Sequence, residues 1–190
     1  MKVIFITVRS DYGGGPRHVD QLVNHLRQDI ELHLAYPKEG IPYSLEWDNN
    51  GRIEGRYYIP YRSFSFKALL GLSRYVKEKN IAVVHSHGNG AGVYSRLLKL
   101  LCPNVKVVHT FHGITENYDS KIKKIANIAC GKFMKYLTDI FILVSKGEKL
   151  LGEKLGYIEQ SHSFVINNGV LPPPQFIYIS KQGTVIYRWS

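Results

Sequence analysis

The chain has 190 residues, 44% hydrophobic and 21% charged, which suits a single soluble globular domain with its own core and excludes a disordered or fibrous chain. Its two cysteines, Cys102 and Cys130, exclude a disulfide framework or a cysteine-based zinc or redox motif and fit a reducing, cytoplasmic setting. The formal charge of +10, from 25 Lys and Arg against 15 Asp and Glu, favours anionic or phosphorylated partners without choosing among nucleotides, nucleic acid and a lipid surface.

The chain opens on Val3-Ile4-Phe5-Ile6, a short apolar run that reads as a buried strand. It is too short for a signal peptide or a membrane span, and no later run reaches the ~20 apolar residues a span requires. Pro16 can open a helix that runs to Gln28 with Val19, Leu22, Val23 and Leu26 on one stripe. Ile30 to Tyr36 alternates and reads as a strand nearer an edge, and Arg52 to Ile59 as a weaker strand with Gly55 inside it. A helix over 66–79 follows, carrying Leu69, Leu72, Tyr75 and Val76. Ile81 to Val84 is a strand, 91–101 a helix stopped by Pro103, and Val105 to Val108 a further strand. The spacing over 118–137 predicts a helix that buries Ile122, Ile125, Ala126, Ala129, Phe133 and Leu137. Ile140 to Val144 is a strand, and 146–155 a helix with Gly156 as its C-cap. After Gly169 the pattern changes, because Pro172-Pro173-Pro174 continues neither helix nor central strand.

This alternation predicts an α/β fold: a Rossmann-like, doubly wound parallel sheet of six or seven strands with helices on both faces, spanning residues 1–170. Residues 171–190 are expected to be a linker or irregular tail. In such a sheet ligands bind beyond the carboxyl ends of the strands, so the loops after them carry the function.

The first of these loops reads Gly13-Gly14-Gly15-Pro16-Arg17-His18. Its glycines let the backbone approach a ligand, and a helix N-terminus offers free N–H groups to phosphate. The spacing is neither a dinucleotide fingerprint nor a P-loop, and a flexible connection is the plain alternative. The fourth and fifth strands lead into His85-Ser86-His87-Gly88 and His109-Thr110-Phe111-His112-Gly113. In a strand His85 and His87 point the same way. Neutral imidazoles at strand ends suit sugar hydroxyls. For His85 and His109, hydrogen bonds that merely close the strand ends are an equal alternative. No metal centre is expected, because no carboxylate or cysteine joins these histidines at ligand spacing. Ser145 with Glu148 reads as a reciprocal capping box.

Together Gly-Gly-Gly-Pro-Arg-His-Val after the first strand, Val-Val-His-Ser-His-Gly, His-Thr-Phe-His-Gly, Val-Ser-Lys-Gly-Glu-Lys-Leu-Leu and Val-Ile-Asn-Asn-Gly-Val at 165–170 resemble the family-four glycosyltransferases of the GT-B fold. The resemblance implies two Rossmann-like domains facing a cleft, with this chain as the N-terminal, acceptor-side one. Carried over by position, it implies that Gly14 and Gly15 approach the donor diphosphate and that His112, the one candidate catalytic residue, contacts the donor sugar. His87 and Gly113 join as further substrate-binding candidates. Pro16 breaks the family's usual order around Arg17, so no role is carried to that arginine. The family's basic residues and Glu-x7-Glu motif of the donor half have no counterpart in residues 171–190. The resemblance therefore implies a retaining transferase half that needs a donor-binding half, uses no cofactor, and moves sugar from a nucleotide-sugar to a glycan or lipid-linked acceptor in polysaccharide synthesis. The alternative is a non-catalytic subunit that binds an acceptor or docks a partner.

Phe64 and Phe66 beside Arg62 and Lys67, and Lys121, Lys123 and Lys124 at the start of the fourth predicted helix, suggest peripheral contact with an anionic membrane surface, on its inner face. A solvated helix face is the plain alternative. No nucleic-acid-binding motif is present, and nucleic acid is not an expected partner.

Overall fold

The computed structural model describes residues 1–39, 41–114, 120–169, 177–179 and 185–187. Its elements alternate: β1 (Lys2–Ile6), α1 (Gly14–His25), β2 (Glu31–Tyr36), α2 (Tyr43–Asn49), β3 (Ile53–Tyr58), α3 (Phe66–Glu78), β4 (Val83–His87), α4 (Asn89–Leu101), β5 (Lys106–Thr110), α5 (Lys121–Lys135), β6 (Ile140–Leu143), α6 (Lys146–Leu155) and β7 (Ser163–Val165). These strands form one seven-stranded parallel sheet in the order β3-β2-β1-β4-β5-β6-β7. The expected Rossmann-like α/β sheet is therefore present. The chain builds leftward from β1 to β3, then crosses back to place β4 on the other side of β1. That reversal opens a crevice at the carboxyl ends of β1 and β4, where doubly wound sheets take ligands.

Period-2 alternation sorts the core onto two faces. Val3 and Phe5 of β1, with Leu32, Leu34 and Tyr36 of β2, pack against Val19 and Val23 of α1 and Trp47 of α2. Ile4 and Ile6 face the other way and meet Leu69, Leu72 and Val76 of α3 and Tyr94 and Leu98 of α4. A third cluster joins Phe111, Phe141 and Leu143 to Leu155, Tyr157 and Ile158. Leu72 and Leu98 are wholly buried, so truncating either to alanine costs about 2–5 kcal/mol. Gly55 inside β3 has a spatial reason: a Cβ there would lie 2.1 Å from the Tyr75 hydroxyl and 2.3 Å from His33 Nδ1. The short helix α2 is an element that the sequence patterns do not mark.

The helix α5 corrects the expected burial. Ile122, Ile125 and Phe133 are 81%, 68% and 57% exposed rather than buried, and Ala126 and Ala129 are exposed too. The helix instead turns Ile128 and Gly131 inward. Gly131 lies so close to Tyr157 that a Cβ would come within 2.5 Å of its ring. Both stripes are apolar or small, so periodicity alone does not choose between them. The glycine decides, because only that side lets the helix approach Tyr157.

In the segment expected as a linker or irregular tail, β8 (Ile177–Ile179) and β9 (Val185–Tyr187) pair antiparallel. The rest of residues 170–190 lies outside the described residues.

Candidate active site

Loops after β1, β4 and β5 meet at the crevice. They enclose a cleft of about 460 Å³ lined by Arg9, Gly14, Gly15, His87, Asn89 and His112, with Asn168 at its margin. The expected group of Gly14, Gly15, His87 and His112 is thus brought together. A Cβ built on Gly15 would lie 3.8 Å from the His112 ring, so a larger side chain there would fill the gap between the first helix and the imidazole. Gly88 (φ 79°) and Gly113 (φ 110°) adopt left-handed backbone that favours glycine at the two histidine loops.

The histidines do not act as one group. In β4, His85 and His87 share the face of Phe5, whose ring lies 5.3 Å from each. The register pairs Ser86 with His109, which turns His109 to the opposite face. There its Nδ1 exchanges a hydrogen bond with Ser86 Oγ at 2.9 Å, and Ser86 Oγ another with Ser95 Oγ of α4 at 2.7 Å. His85 Nε2 shares a hydrogen bond with Thr110 Oγ1 at 2.8 Å. His85 and His109 are therefore bonded members of the strand ends. His87 differs: it is buried, and neither ring nitrogen has a hydrogen-bond partner among the described residues. Nε2 of His112 is likewise buried and unbonded.

His18 completes this set, although sequence patterns give it no role. It stands on the first turns of α1, its ring 5.6 Å from His87 and 5.0 Å from His112. Burial pushes the pKa of all five imidazoles down, to about 3 for His85 and about 4 for His112, with His18 adding to the effect on both. They are neutral at pH 7, so His87 and His112 bring uncharged imidazoles to the cleft, whose positive charge comes from Arg9.

These shifts predict acid sensitivity. Each folded-state pKa lies below the ordinary 6.5, so between the two values the unfolded chain binds protons that the native chain does not. The stabilisation is complete above about pH 6.5 and is lost as pH falls toward the folded-state values. For His85 alone the loss reaches roughly 2 kcal/mol by about pH 5. Urea unfolding at pH 7 and pH 5 checks this: the midpoint is expected to fall steeply, and an unchanged midpoint would mean that these imidazoles are not desolvated.

Cation–carboxylate contacts brace the cleft. Arg9 grips Asp11 through Nε and a terminal nitrogen at 2.8 and 2.9 Å, holding its carboxyl well below the usual range, and also donates to the Tyr12 carbonyl. Ser145 caps α6 by accepting from the Glu148 N–H at 3.1 Å, as expected. The Glu148 carboxylate is not reciprocal, however. It accepts from Gly113 N–H at 2.7 Å and Val144 N–H at 3.0 Å, tying the His112 loop to the end of β6. Gly113 is therefore an anchor for that loop. Beside the cleft, a smaller cavity of about 140 Å³ between α4 and α5 holds Arg96, which donates from Nε to Thr138 Oγ1 and whose pKa burial pushes down to about 10.

Of the expected surface contacts, Phe64 and Phe66 are 47% and 63% exposed, and Lys121 and Lys124 are exposed. The Lys123 side chain lies outside the described residues.

A seven-stranded parallel sheet with a glycine- and imidazole-lined crevice at its switch point defines a Rossmann-like domain of the GT-B kind. The chain belongs to Glycosyltransferase Family 4, whose family profile matches residues 12–172. It is 29% identical over 175 residues to the O-antigen biosynthesis glycosyltransferase WbnH of Escherichia coli, covering 90% of this chain and 49% of that protein. Among solved structures, Anabaena Alr3699/HepE in complex with UDP and glucose matches with a TM-score of 0.69 at 13% identity, over 90% of this chain and 45% of that one. The apo form of the lipopolysaccharide outer core galactosyltransferase WaaB matches with a TM-score of 0.63 at 14% identity, over 97% and 50%. The chain spans about half the length of the curated relatives it matches.

Proposed function

We propose that this chain is the acceptor-side half of a retaining glycosyltransferase that moves a sugar from a nucleotide-sugar to a glycan or lipid-linked acceptor, in the synthesis of a surface polysaccharide such as the O-antigen for which its relative is named. The donor-binding half forms the opposite wall of the cleft. The observation that carries this reading is the meeting of Gly15 and His112 at the switch-point crevice. Gly14 and Gly15 leave room for a diphosphate above the start of α1. His112, whose Nε2 has no hydrogen-bond partner among the described residues, is the contact for the donor sugar, and His87 lines the same cleft. The reaction requires stabilisation of a departing nucleoside diphosphate, and those charges belong to the donor half. Incubating the chain together with a donor-binding half, a panel of radiolabelled nucleotide-sugars and lipid-linked glycans tests the reading. Transfer from one nucleotide-sugar is expected, and no transfer from any of them would count against it.

The acceptor side also faces a lipid surface in this reading. Among the described residues no helix is long and apolar enough to cross a membrane. The stripe of Ile122, Ile125 and Phe133 is exposed beside Lys121 and Lys124, which is the pattern of a helix lying in an anionic interface. Phe64 and Phe66 are further apolar contacts. Each cation near such a surface contributes about 1 kcal/mol. Sedimentation with phosphatidylglycerol vesicles at low salt is expected to capture the chain. Raising the salt, or introducing Ile125→Asp, is expected to release it, and failure to sediment at low salt would remove this part of the proposal.

A further inference from the structure

We propose that His18, His87 and His112 form a three-imidazole site for a borderline divalent transition metal, Zn²⁺ foremost, with a fourth coordination position open to the cleft. The observations are geometric. One ring nitrogen from each of the three residues lies within 4.8 Å of the others. Ring centroids are 5.6 Å apart for His18–His87, 5.0 Å for His18–His112 and 5.9 Å for His87–His112. With Zn–N bonds of about 2.0–2.1 Å and tetrahedral angles, ligand nitrogens stand roughly 3.4 Å apart. Closing from at most 4.8 Å to that spacing is the movement that metal binding requires of the three rings.

Hydrogen bonding points the same way. His87 is 4% exposed, yet both of its ring nitrogens lack a partner among the described residues, as does the buried Nε2 of His112. Buried polar atoms without partners are rare in folded proteins and call for a ligand. In contrast, His85 is held by Thr110, and His109 by Ser86 at one ring nitrogen, on the opposite face of the sheet. His109 Nε2 is also buried and unbonded, but its place on the opposite face keeps it out of the group, and His18 joins by position, so the three are selected by where the fold puts them. Burial keeps the three neutral, the form that offers a lone pair to a metal.

The ligand set decides the metal. Imidazole suits Zn²⁺, Co²⁺, Ni²⁺ and Cu²⁺, whereas Mg²⁺ and Ca²⁺ require oxygen ligands that this group lacks. Three protein ligands leave one position for water or for an oxygen of whatever occupies the cleft. The site stands on side-chain placement and does not depend on the transferase reading. Its occupation ties up the His112 imidazole, so metal and sugar compete for that residue.

The test measures Zn²⁺ binding to the chain by competition with a chromophoric chelator, in a Cys130→Ser background that removes the exposed thiol. One equivalent is expected to bind, and Co²⁺ is expected to give the visible absorption of a tetrahedral site. His18→Ala, at a half-buried position on α1, is expected to weaken Zn²⁺ binding by ~10²-fold or more, as loss of a ligand exceeds the 10–100-fold effect of losing a supporting contact. His112→Gln is expected to do the same, and His162→Ala, at an exposed position, to leave binding unchanged. Zn²⁺ binding that survives both His18→Ala and His112→Gln, or no stoichiometric binding to the Cys130→Ser chain, would overturn the proposal.

Discussion

The 190 residues by themselves are expected to transfer no sugar at a useful rate, and addition of a donor-binding half is expected to raise the rate by many orders of magnitude. In the proposed function this chain supplies one wall of the cleft only. Among the described residues its polar lining consists of Thr7, Asn89 and Asn168, backbone at Gly14 and Gly15, the neutral imidazoles of His87 and His112, and Arg9, whose guanidinium is already committed to Asp11 and Tyr12. Among the described residues, that lining offers a nucleoside no aromatic or carboxylate grip, and its one cation, Arg9, is already paired with Asp11. Holding donor and acceptor in a reactive orientation contributes ~7–11 kcal/mol to lowering a barrier. Even one lost stabilising group at the reacting centre costs ~10²–10³ in rate. Separate and combined incubations, with product followed by mass spectrometry, check this. Robust transfer by the chain alone would mean that the opposite wall is unnecessary.

Within the joined enzyme, His112→Ala is expected to lower kcat by ~10²–10³-fold, the range seen when one preorganised donor is removed. His112 reaches the cleft from the loop after β5, and Glu148 fixes that loop through the Gly113 N–H. Its ring is half-buried against His18 and His87 rather than part of the strand-end hydrogen bonds, so its removal leaves the sheet intact. The effect is expected mainly in kcat, with a smaller change in KM for the nucleotide-sugar, because in the proposed function the nucleoside is bound by the other half. His109→Ala is expected to behave differently. It opens a gap beside Ser86 and Ser95 on the opposite face and lowers stability before it lowers turnover. Steady-state kinetics paired with urea unfolding separates the two outcomes. A similar stability loss with no loss of kcat in His112→Ala would assign that residue to the scaffold.

Most of the sheet is legible in the sequence because its strands leave unbroken apolar runs, as in Val3 to Ile6, buried on both faces, and Ile140 to Leu143, where only Phe141 and Leu143 are buried. The short final strand, Ser163–Val165, has only three residues and a weak signal. The site is half legible. His85 and His87 share a face by period alone. The fate of His109 depends on its pairing with Ser86, a register that spans 23 positions and is invisible to local patterns. His18 is missed for a similar reason: it comes from the helix after β1, and only the adjacency of β1 and β4 brings it to His87. The orientation of α5 turns on a single close approach, Gly131 to Tyr157, between segments far apart in the chain. Glu148 shows the limit of a local rule. Its position fits a capping box, but two backbone N–H groups of neighbouring loops capture its carboxylate.

The central claim is that sugar transfer occurs in the crevice between the start of α1 and the His112 loop. It is tested most directly by photo-crosslinking in the joined enzyme, with a nucleotide-sugar carrying the reactive group on its sugar, and peptide mapping of the labelled chain. The account predicts label on residues 12–17 and on 109–113, lost when unmodified nucleotide-sugar is added. Label confined to other surfaces of this chain, such as the cavity beside Arg96, or absent from it altogether, would contradict the account.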